Sequence, residues 1–119
     1  MHATLYGISN CDQVKKARAW LAENGHEVDF HDIKKNGIDR ATILQWLRDV
    51  GWEVLLNRKG TTWRALSDQR KASVVDADTA TDLMLEFTSI IKRPVLYLSS
   101  HTTVGFSVDV YESLFKKTS

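Results

Sequence analysis

Hydrophobic and polar positions recur with two different periods along the first part of the chain. Residues 3–7 form a short apolar run that predicts a buried strand, and Val14, Ala17 and Leu21 then recur at helical spacing. Polar and apolar residues alternate over 27–33, which predicts a second strand. Strand, helix and strand in this order indicate a parallel pair joined by a right-handed crossover.

The middle of the chain carries mainly helical patterns. Asp39 is predicted to cap a helix that ends at Gly51, and further helices are predicted over about 66–74 and 78–87. The polar, basic segment 57–64 lies among these helices and contains one glycine. It is long enough to carry function, although a solvated connection would have the same composition.

The last part of the chain predicts a hairpin that opens on the only proline, Pro94. Proline is tolerated at the first residue of a strand, and it holds Arg93 in an extended conformation. The apolar run after Pro94 is the first strand, residues 99–102 are the expected turn, and 103–106 are the returning strand.

A final helix capped by Ser107 follows this hairpin. The element order is therefore β-α-β, a helical block over about 39–91, and β-β-α. This order predicts a mixed α/β protein. A chain of 119 residues fits one domain, residues 1–119, with the helical block as an insertion.

Composition excludes several classes of protein. The 16 basic and 15 acidic residues give a net charge of +1, which leaves no nucleic-acid footprint. No apolar run approaches the ~20 residues that span a bilayer, so no membrane partner is expected. Residues 1–5 lack a basic region before an apolar stretch, so no signal peptide is expected. Four histidines and one cysteine show no ligand spacing, which predicts no metal site and no bound cofactor.

The only cysteine, Cys11, falls where the first strand gives way to the first helix. A helix start favours the thiolate, which is the nucleophilic form, and Lys15 adds positive potential one turn later. The alternative is a small buried apolar residue. Asn10 either caps the helix or donates its side-chain amide to a bound anion. A lone cysteine allows no internal disulfide and fits a reducing compartment, which predicts the cytoplasm.

Several segments together resemble the arsenate reductase (ArsC)-like family of the thioredoxin-like fold, and within it the subgroup related to YffB and Spx. They occur in order along nearly the whole chain, and the set is more specific than any member alone. The matching segments are Leu5–Asp12 with Lys15–Ala17, Leu55–Arg64, Ile90–Pro94 and Val104–Phe106.

The resemblance implies a thioredoxin-like mixed sheet with an inserted helical block, and it implies roles for single residues. Cys11 matches the catalytic cysteine, which in arsenate reductases attacks arsenate and then forms a mixed disulfide with glutathione. Arg93 matches an arginine that binds the oxyanion, and Arg58 falls within a residue of another. Pro94 would be the cis-proline that lies across from the cysteine.

The sequence also departs from the arsenate reductases. Residues 104–107 supply no third arginine, and Val14 replaces a serine that would hydrogen-bond the thiolate. Losing one arginine contact to an oxyanion costs about 1.5–3 kcal/mol. These departures favour a thiol reductase that uses glutathione or a glutaredoxin-like donor as co-substrate. Its substrate would be a disulfide or a small oxyanion, with Arg93 and Arg58 holding the negative charge.

Two other functions stay open at this point. Spx-type regulators share the fold and bind RNA polymerase, which makes a non-enzymatic regulatory protein the main alternative. Such proteins usually carry a Cys-x-x-Cys switch, and Val14 removes the second thiol here. The third possibility is a domain that has lost its activity.

Overall fold

A four-stranded mixed sheet in the order β2-β1-β3-β4 forms the centre of the molecule. Strand β1 covers Ala3–Gly7 and pairs in parallel with β2, Asp29–Asp32. On its other side β1 pairs antiparallel with β3, Val95–Leu98, and β3 pairs antiparallel with β4, His101–Val104. The structure is a computed structural model that describes residues 3–116 in full and the backbone of 117 and 118.

The helix after the first strand and the final helix flank this sheet as the sequence predicts, whereas the short helical turn after the second strand is not predicted. Helix α1, Asp12–Glu23, joins β1 to β2, the single turn α2, Ile33–Asn36, follows β2, and α8, Val108–Thr118, follows β4. This is a thioredoxin-like fold, β-α-β followed by β-β-α, with a helical block inserted between β2 and β3. The block contains α3 Arg40–Trp46, α4 Trp52–Leu55, α5 Thr61–Arg64, α6 Asp68–Ala72, α7 Ala77–Glu86 and a 3-10 turn at Thr88–Ile90.

The two faces of the sheet pack against different layers. Leu5 and Leu96 lie on the face covered by α1 and α8, and Val95 lies on the face covered by the helical block. The fully buried residues of α1 are Val14 and Ala17, with Leu21 almost wholly enclosed, as the helical spacing predicts. The first core cluster includes Ala17, Leu21, Tyr111 and Phe115, and the second includes Ile43, Trp46, Leu83 and Met84.

Among the element boundaries that differ from the sequence prediction, three have a local physical reason. Strand β2 ends at Asp32, because its carboxylate accepts the N–H groups of Lys34 and Lys35 at 3.0 and 3.1 Å and starts α2. Helix α3 ends at Trp46 and not near Gly51, because turns follow at once.

The third difference concerns the hairpin. Its turn is the two-residue pair Ser99-Ser100, with φ of 48° and 67°, so β4 begins at His101 and not at Thr103. Positive φ at both positions matches the right-handed twist of the strands. The prediction that residues 1–5 form no signal peptide depends partly on residues 1 and 2, which lie outside the described residues. No helix within residues 3–118 combines the length and apolar character needed to cross a membrane.

Candidate active site

Cys11 stands at the junction between β1 and α1. The chain leaves β1 at Gly7, and the Cys11 N–H donates to the Ile8 carbonyl at 3.3 Å, which closes the turn. Cys11 is the N-cap residue of α1, with φ of −92°, and its carbonyl accepts the Lys15 N–H at 2.9 Å. The residue is partly exposed and its thiol is free. Cys11 is therefore not a fully buried residue of the core.

The side chain of Cys11 forms no capping hydrogen bond at the start of α1, and no other side chain among residues 3–116 caps it. The expectation that Asn10 caps the helix is wrong, because the helix starts one residue later and Asn10 lies exposed in the turn before Cys11. The first amides of a helix lack partners within the helix and carry its positive end. Without a capping oxygen, these amides remain available to negative charge beside Cys11.

Val14 fixes how α1 lies on β1. Its side chain is completely buried, and a Cβ built on Gly7 would come within 2.6 Å of Val14 Cγ2. Only glycine permits this approach at the end of the strand. Val14 also occupies the position three residues after Cys11, so a core side chain stands where a second thiol or a serine would stand in related proteins.

Pro94 lies at the start of β3, and the Arg93–Pro94 bond is cis, as the resemblance implied. Register pairs Tyr6 of β1 with Val95 of β3, so the end of β1 and the start of β3 lie side by side. The buried Pro94 accepts the Gly105 N–H at 2.8 Å on its carbonyl. The turn that carries Cys11 therefore leaves the sheet beside the cis-proline.

The guanidinium of Arg93 is held by backbone carbonyls. Its Nη1 donates to the Ser89 carbonyl at 2.9 Å and to the Ile91 carbonyl at 3.2 Å. The Nε atom is buried and has no hydrogen-bond partner among the described residues. Buried polar groups normally have partners, so the Nε–H group is an unused donor for an anion or a water molecule.

The segment 57–64 approaches Arg93 through Ser89. An isolated antiparallel bridge joins Leu56 to Ile91, and the Thr62 hydroxyl lies 2.8 Å from the Ser89 hydroxyl. Because the bridge is antiparallel, the backbone of segment 57–64 runs toward Ser89, which Arg93 also contacts. The expected loop contains one helical turn, α5.

The side chains of Arg58 and Lys15 are less firmly held than that of Arg93. Arg58 is exposed, with its Cζ 5.7 Å from the ring centroid of Trp52, a distance typical of a cation–π contact. Lys15 is exposed in the first turn of α1, and its N–H bonds to the Cys11 carbonyl. The structure thus holds Arg93 by two backbone carbonyls, whereas Arg58, Lys15 and Asn10 are exposed.

A cavity of about 430 Å³ opens next to Asn10. Its lining includes Lys34 and Lys35, which follow β2 and which no sequence motif connects with Cys11. A pair of consecutive basic residues directly after the strand that runs parallel to β1 is the sequence pattern from which Lys34 and Lys35 could have been predicted. The lining residues are Ile8, Ser9, Asn10, Asp32, Lys34 and Lys35.

A larger cavity, of about 850 Å³, lies at the opposite end of β1 and is lined in part by Ala3, Arg18, His26 and Phe30. Volume alone would favour it, but its lining contains no cysteine and it lies away from the carboxyl ends of β1 and β2, where α/β folds place ligands. Across residues 3–116, no group of three or more histidine, cysteine, aspartate or glutamate side chains is arranged to hold a metal ion.

The sequence model of the ArsC family matches residues 6–114. A solved structure named YFFB protein superposes with a TM-score of 0.89 at 49% identity and covers 93% of this chain and 96% of its own. An arsenate reductase (ArsC) related protein from Brucella melitensis has a TM-score of 0.75 at 48% identity and covers 98% and 96%. An uncharacterized protein of Haemophilus influenzae is 40% identical over 112 residues, 94% of this chain and 97% of its own length.

A more distant relative has a regulatory name. The global transcriptional regulator Spx of Streptococcus pyogenes is 29% identical over 111 residues, which are 89% of this chain and 79% of the regulator. The similarity thus extends to a protein named as related to arsenate reductase and to a protein named as a regulator.

Proposed function

The chain belongs to the ArsC family, and from this we propose that it is a thiol reductase that uses Cys11 as its nucleophile and glutathione or a glutaredoxin-like protein as its reductant. One observation carries the proposal. Cys11 is partly exposed at the uncapped start of α1, in a turn beside the cis-Pro94. This position supplies amides and positive potential to a thiolate, and it leaves the sulfur on the side where ligands bind.

The proposed reaction consists of two disulfide exchanges. The Cys11 thiolate attacks a glutathione mixed disulfide, a new S–S bond forms between Cys11 and glutathione, and the substrate leaves as a thiolate. A second glutathione thiolate then attacks this mixed disulfide, releases the Cys11 thiolate, and leaves as oxidised glutathione. Because Cys11 is the only cysteine in the chain, the second thiol must come from another molecule.

Arg93 supports binding of a negatively charged substrate. Its Nη1 atom donates to the Ser89 and Ile91 carbonyls, while Nε lacks a partner among the described residues. Such an arginine offers charge-assisted hydrogen bonds to a carboxylate or an oxyanion. Arg58, Asn10 and Lys15 would complete the anion contacts by moving toward the ligand.

The segment after β4 favours disulfides over arsenate as substrate. Gly105 donates to the Pro94 carbonyl, so residues 104–107 lie next to the cis-proline, and none of them is basic. An oxyanion with two or three charges needs several charged donors, and this side of the site supplies none. A disulfide that carries single carboxylates makes smaller demands.

The proposal is tested by measuring reduction of the mixed disulfide of glutathione and 2-mercaptoethanol. We expect turnover by the wild-type protein, and none by Cys11→Ser, since serine has nearly the same size but no thiolate. Assays with glutathione alone and with added glutaredoxin separate the two donors. Turnover that persists in Cys11→Ser, or wild-type rates equal to the uncatalysed reaction, would overturn the proposal.

The alternative is a regulatory protein, and the similarity to Spx is the observation that favours it. The structure argues against a regulator that switches through a Cys-x-x-Cys pair, because the buried side chain of Val14 occupies the position of the second thiol. Capture of RNA polymerase by both the wild-type protein and Cys11→Ala would favour the regulator.

The proposed localisation follows from the proposed reductants. Glutathione and glutaredoxin-like proteins act as reductants in a reducing compartment, so the proposed compartment is the cytoplasm.

A further inference from the structure

The parallel pairing of β1 and β2 creates a second binding region next to Cys11. Gly7 pairs with Asp32 in this register, so the segments that leave the two strands start from the same level of the sheet. One segment carries Asn10, and the other carries Lys34 and Lys35. The cavity of about 430 Å³ lies between them, and its volume falls within the range of small-ligand pockets.

The charged groups that line this cavity differ in whether they have hydrogen-bond or ion-pair partners. The carboxylate of Asp32 is nearly buried and accepts the backbone N–H groups of Lys34 and Lys35, so it is bound to the backbone of α2. The side chains of both lysines are exposed, and neither ammonium group forms an ion pair with a carboxylate among residues 3–116. The lining therefore offers two unpaired positive charges beside one carboxylate that already has donors.

We propose that this cavity binds a carboxylate of the low-molecular-weight thiol that reacts with Cys11, with Lys34 and Lys35 as its charged donors. The inference rests on the proposed function and names a subsite for its co-substrate. The turn residues Ile8, Ser9 and Asn10 line the cavity, and Cys11 directly follows Asn10 in the chain. The Asn10 amide, which caps nothing, adds a neutral donor between the carboxylate and the sulfur.

The amides at the start of α2 play no part in this subsite. Those of Lys34 and Lys35 already donate to Asp32, and a single-turn helix has little dipole of its own. The ammonium groups must therefore supply the attraction. A compact cavity also fits a small thiol with one or two carboxylates better than the broad, flat surface of a protein donor.

A single exchange step tests the subsite without knowledge of the physiological substrate. The Cys11 thiolate attacks a symmetric disulfide, one half becomes the mixed disulfide on Cys11, and the other half leaves as a thiolate. Glutathione disulfide carries carboxylates, whereas 2-hydroxyethyl disulfide carries none. The ratio of the two rates, followed by intact mass, reports recognition of carboxylates and cancels the intrinsic reactivity of Cys11.

The decisive variant is Lys34→Gln/Lys35→Gln, and Arg48→Gln/Lys71→Gln removes the same charge from the helical block. We expect the wild type to prefer glutathione disulfide, and the Lys34/Lys35 variant to lose roughly three- to tenfold of that preference, as for exposed charge pairs. The control variant should keep it. Added salt should reduce the wild-type preference, since the Debye length is only about 10 Å at 0.1 M.

The possible outcomes separate the subsite from the proposed function. An unchanged ratio in Lys34→Gln/Lys35→Gln, or an equal fall in the control, would overturn the subsite. A wild type that reacts well with 2-hydroxyethyl disulfide but shows no preference for glutathione disulfide would also overturn it, and would leave a thiol reductase with another donor. A wild type that reacts with neither disulfide would overturn the proposed function itself.

Discussion

Val14 Cγ2 lies 2.6 Å from the point where a Cβ on Gly7 would stand. Helix α1 therefore packs directly on the last residue of β1, with only the four-residue turn through Cys11 between them. This approach sets the position of Cys11 relative to the sheet. A side chain at Gly7 would have to push α1 away, and the thiol would move with it.

We expect Gly7→Ala to destabilise the protein by about 1–3 kcal/mol, the usual cost of overpacking a core. Chemical denaturation measures the loss, and the rate of Cys11 alkylation by iodoacetamide measures the displacement of the thiol. Val14→Ala serves as the matched partner because it vacates the contested space. The double variant should lose less than the sum of the single variants, by about 0.5–3 kcal/mol. Strictly additive losses would show that the contact with Val14 is not the cause.

Arg93→Ala should lower stability by about 1–3 kcal/mol, because a charged donor no longer satisfies the Ser89 and Ile91 carbonyls. Arg93→Lys should keep part of that stability but not the bidentate fork, since lysine is a compact point charge. Protection of Cys11 from alkylation by sulfate, arsenate or glutathione disulfide measures anion binding. It should weaken about tenfold or more in both variants, as expected for a charge-assisted contact. Full protection in Arg93→Ala would remove Arg93 from the anion site.

Asp49 covers the free edge of the sheet at β4. Its Oδ2 accepts the N–H of the buried Thr102 at 2.8 Å, and β4 is an edge strand. Asp49→Ala should therefore cost about 1–3 kcal/mol for a buried N–H without a partner. Asp49→Asn, which keeps an acceptor oxygen, should lose less. Thermal melts compare the variants, and equal losses in the two would contradict this explanation.

The Asp76 carboxylate caps α7, and its pKa lies below the ordinary value because the Thr79 N–H and hydroxyl donate to it. A carboxylate with a lowered folded-state pKa stabilises the protein fully above its unfolded pKa of about 3.9, and this stabilisation disappears as pH falls through the folded pKa. Asp76→Asn keeps a capping oxygen but cannot ionise. The variant should be less stable than the wild type at pH 7, and the difference should shrink toward pH 3. A difference that stays constant would contradict the assignment.

The sequence predicts much of the architecture because its evidence is local. The spacing of Val14, Ala17 and Leu21 predicts the buried face of α1, and the apolar run at 3–7 predicts β1. The exact ends of the elements and the exposure of residues near them are harder to predict from the sequence. Tyr111 and Phe115 of α8 are buried, but Val108, three residues before Tyr111, is 43% exposed, because it stands at the first turn of α8, at the margin of the packed layer.

The candidate site can likewise be predicted only in part from the sequence. Cys11 and Pro94 are recognisable from the sequence because a lone cysteine at a strand-to-helix turn and a lone proline before a strand are local signals. The N-cap of α1 is not recognisable, since Ser9, Asn10 and Cys11 are consecutive and the exact turn between strand and helix selects among them. Lys34 and Lys35 look like an ordinary polar turn.

By itself, the amino-acid sequence determines the order of strands and helices, the single thiol and the residues that can carry positive charge. The tertiary structure decides which of these meet. The pairing of Gly7 with Asp32 brings Lys34 and Lys35 beside Asn10, and the pairing of Tyr6 with Val95 brings the cis-Pro94 beside the turn of Cys11. The physical reason is that strand register joins residues far apart in the chain, and no local pattern of hydrophobic and polar residues encodes it.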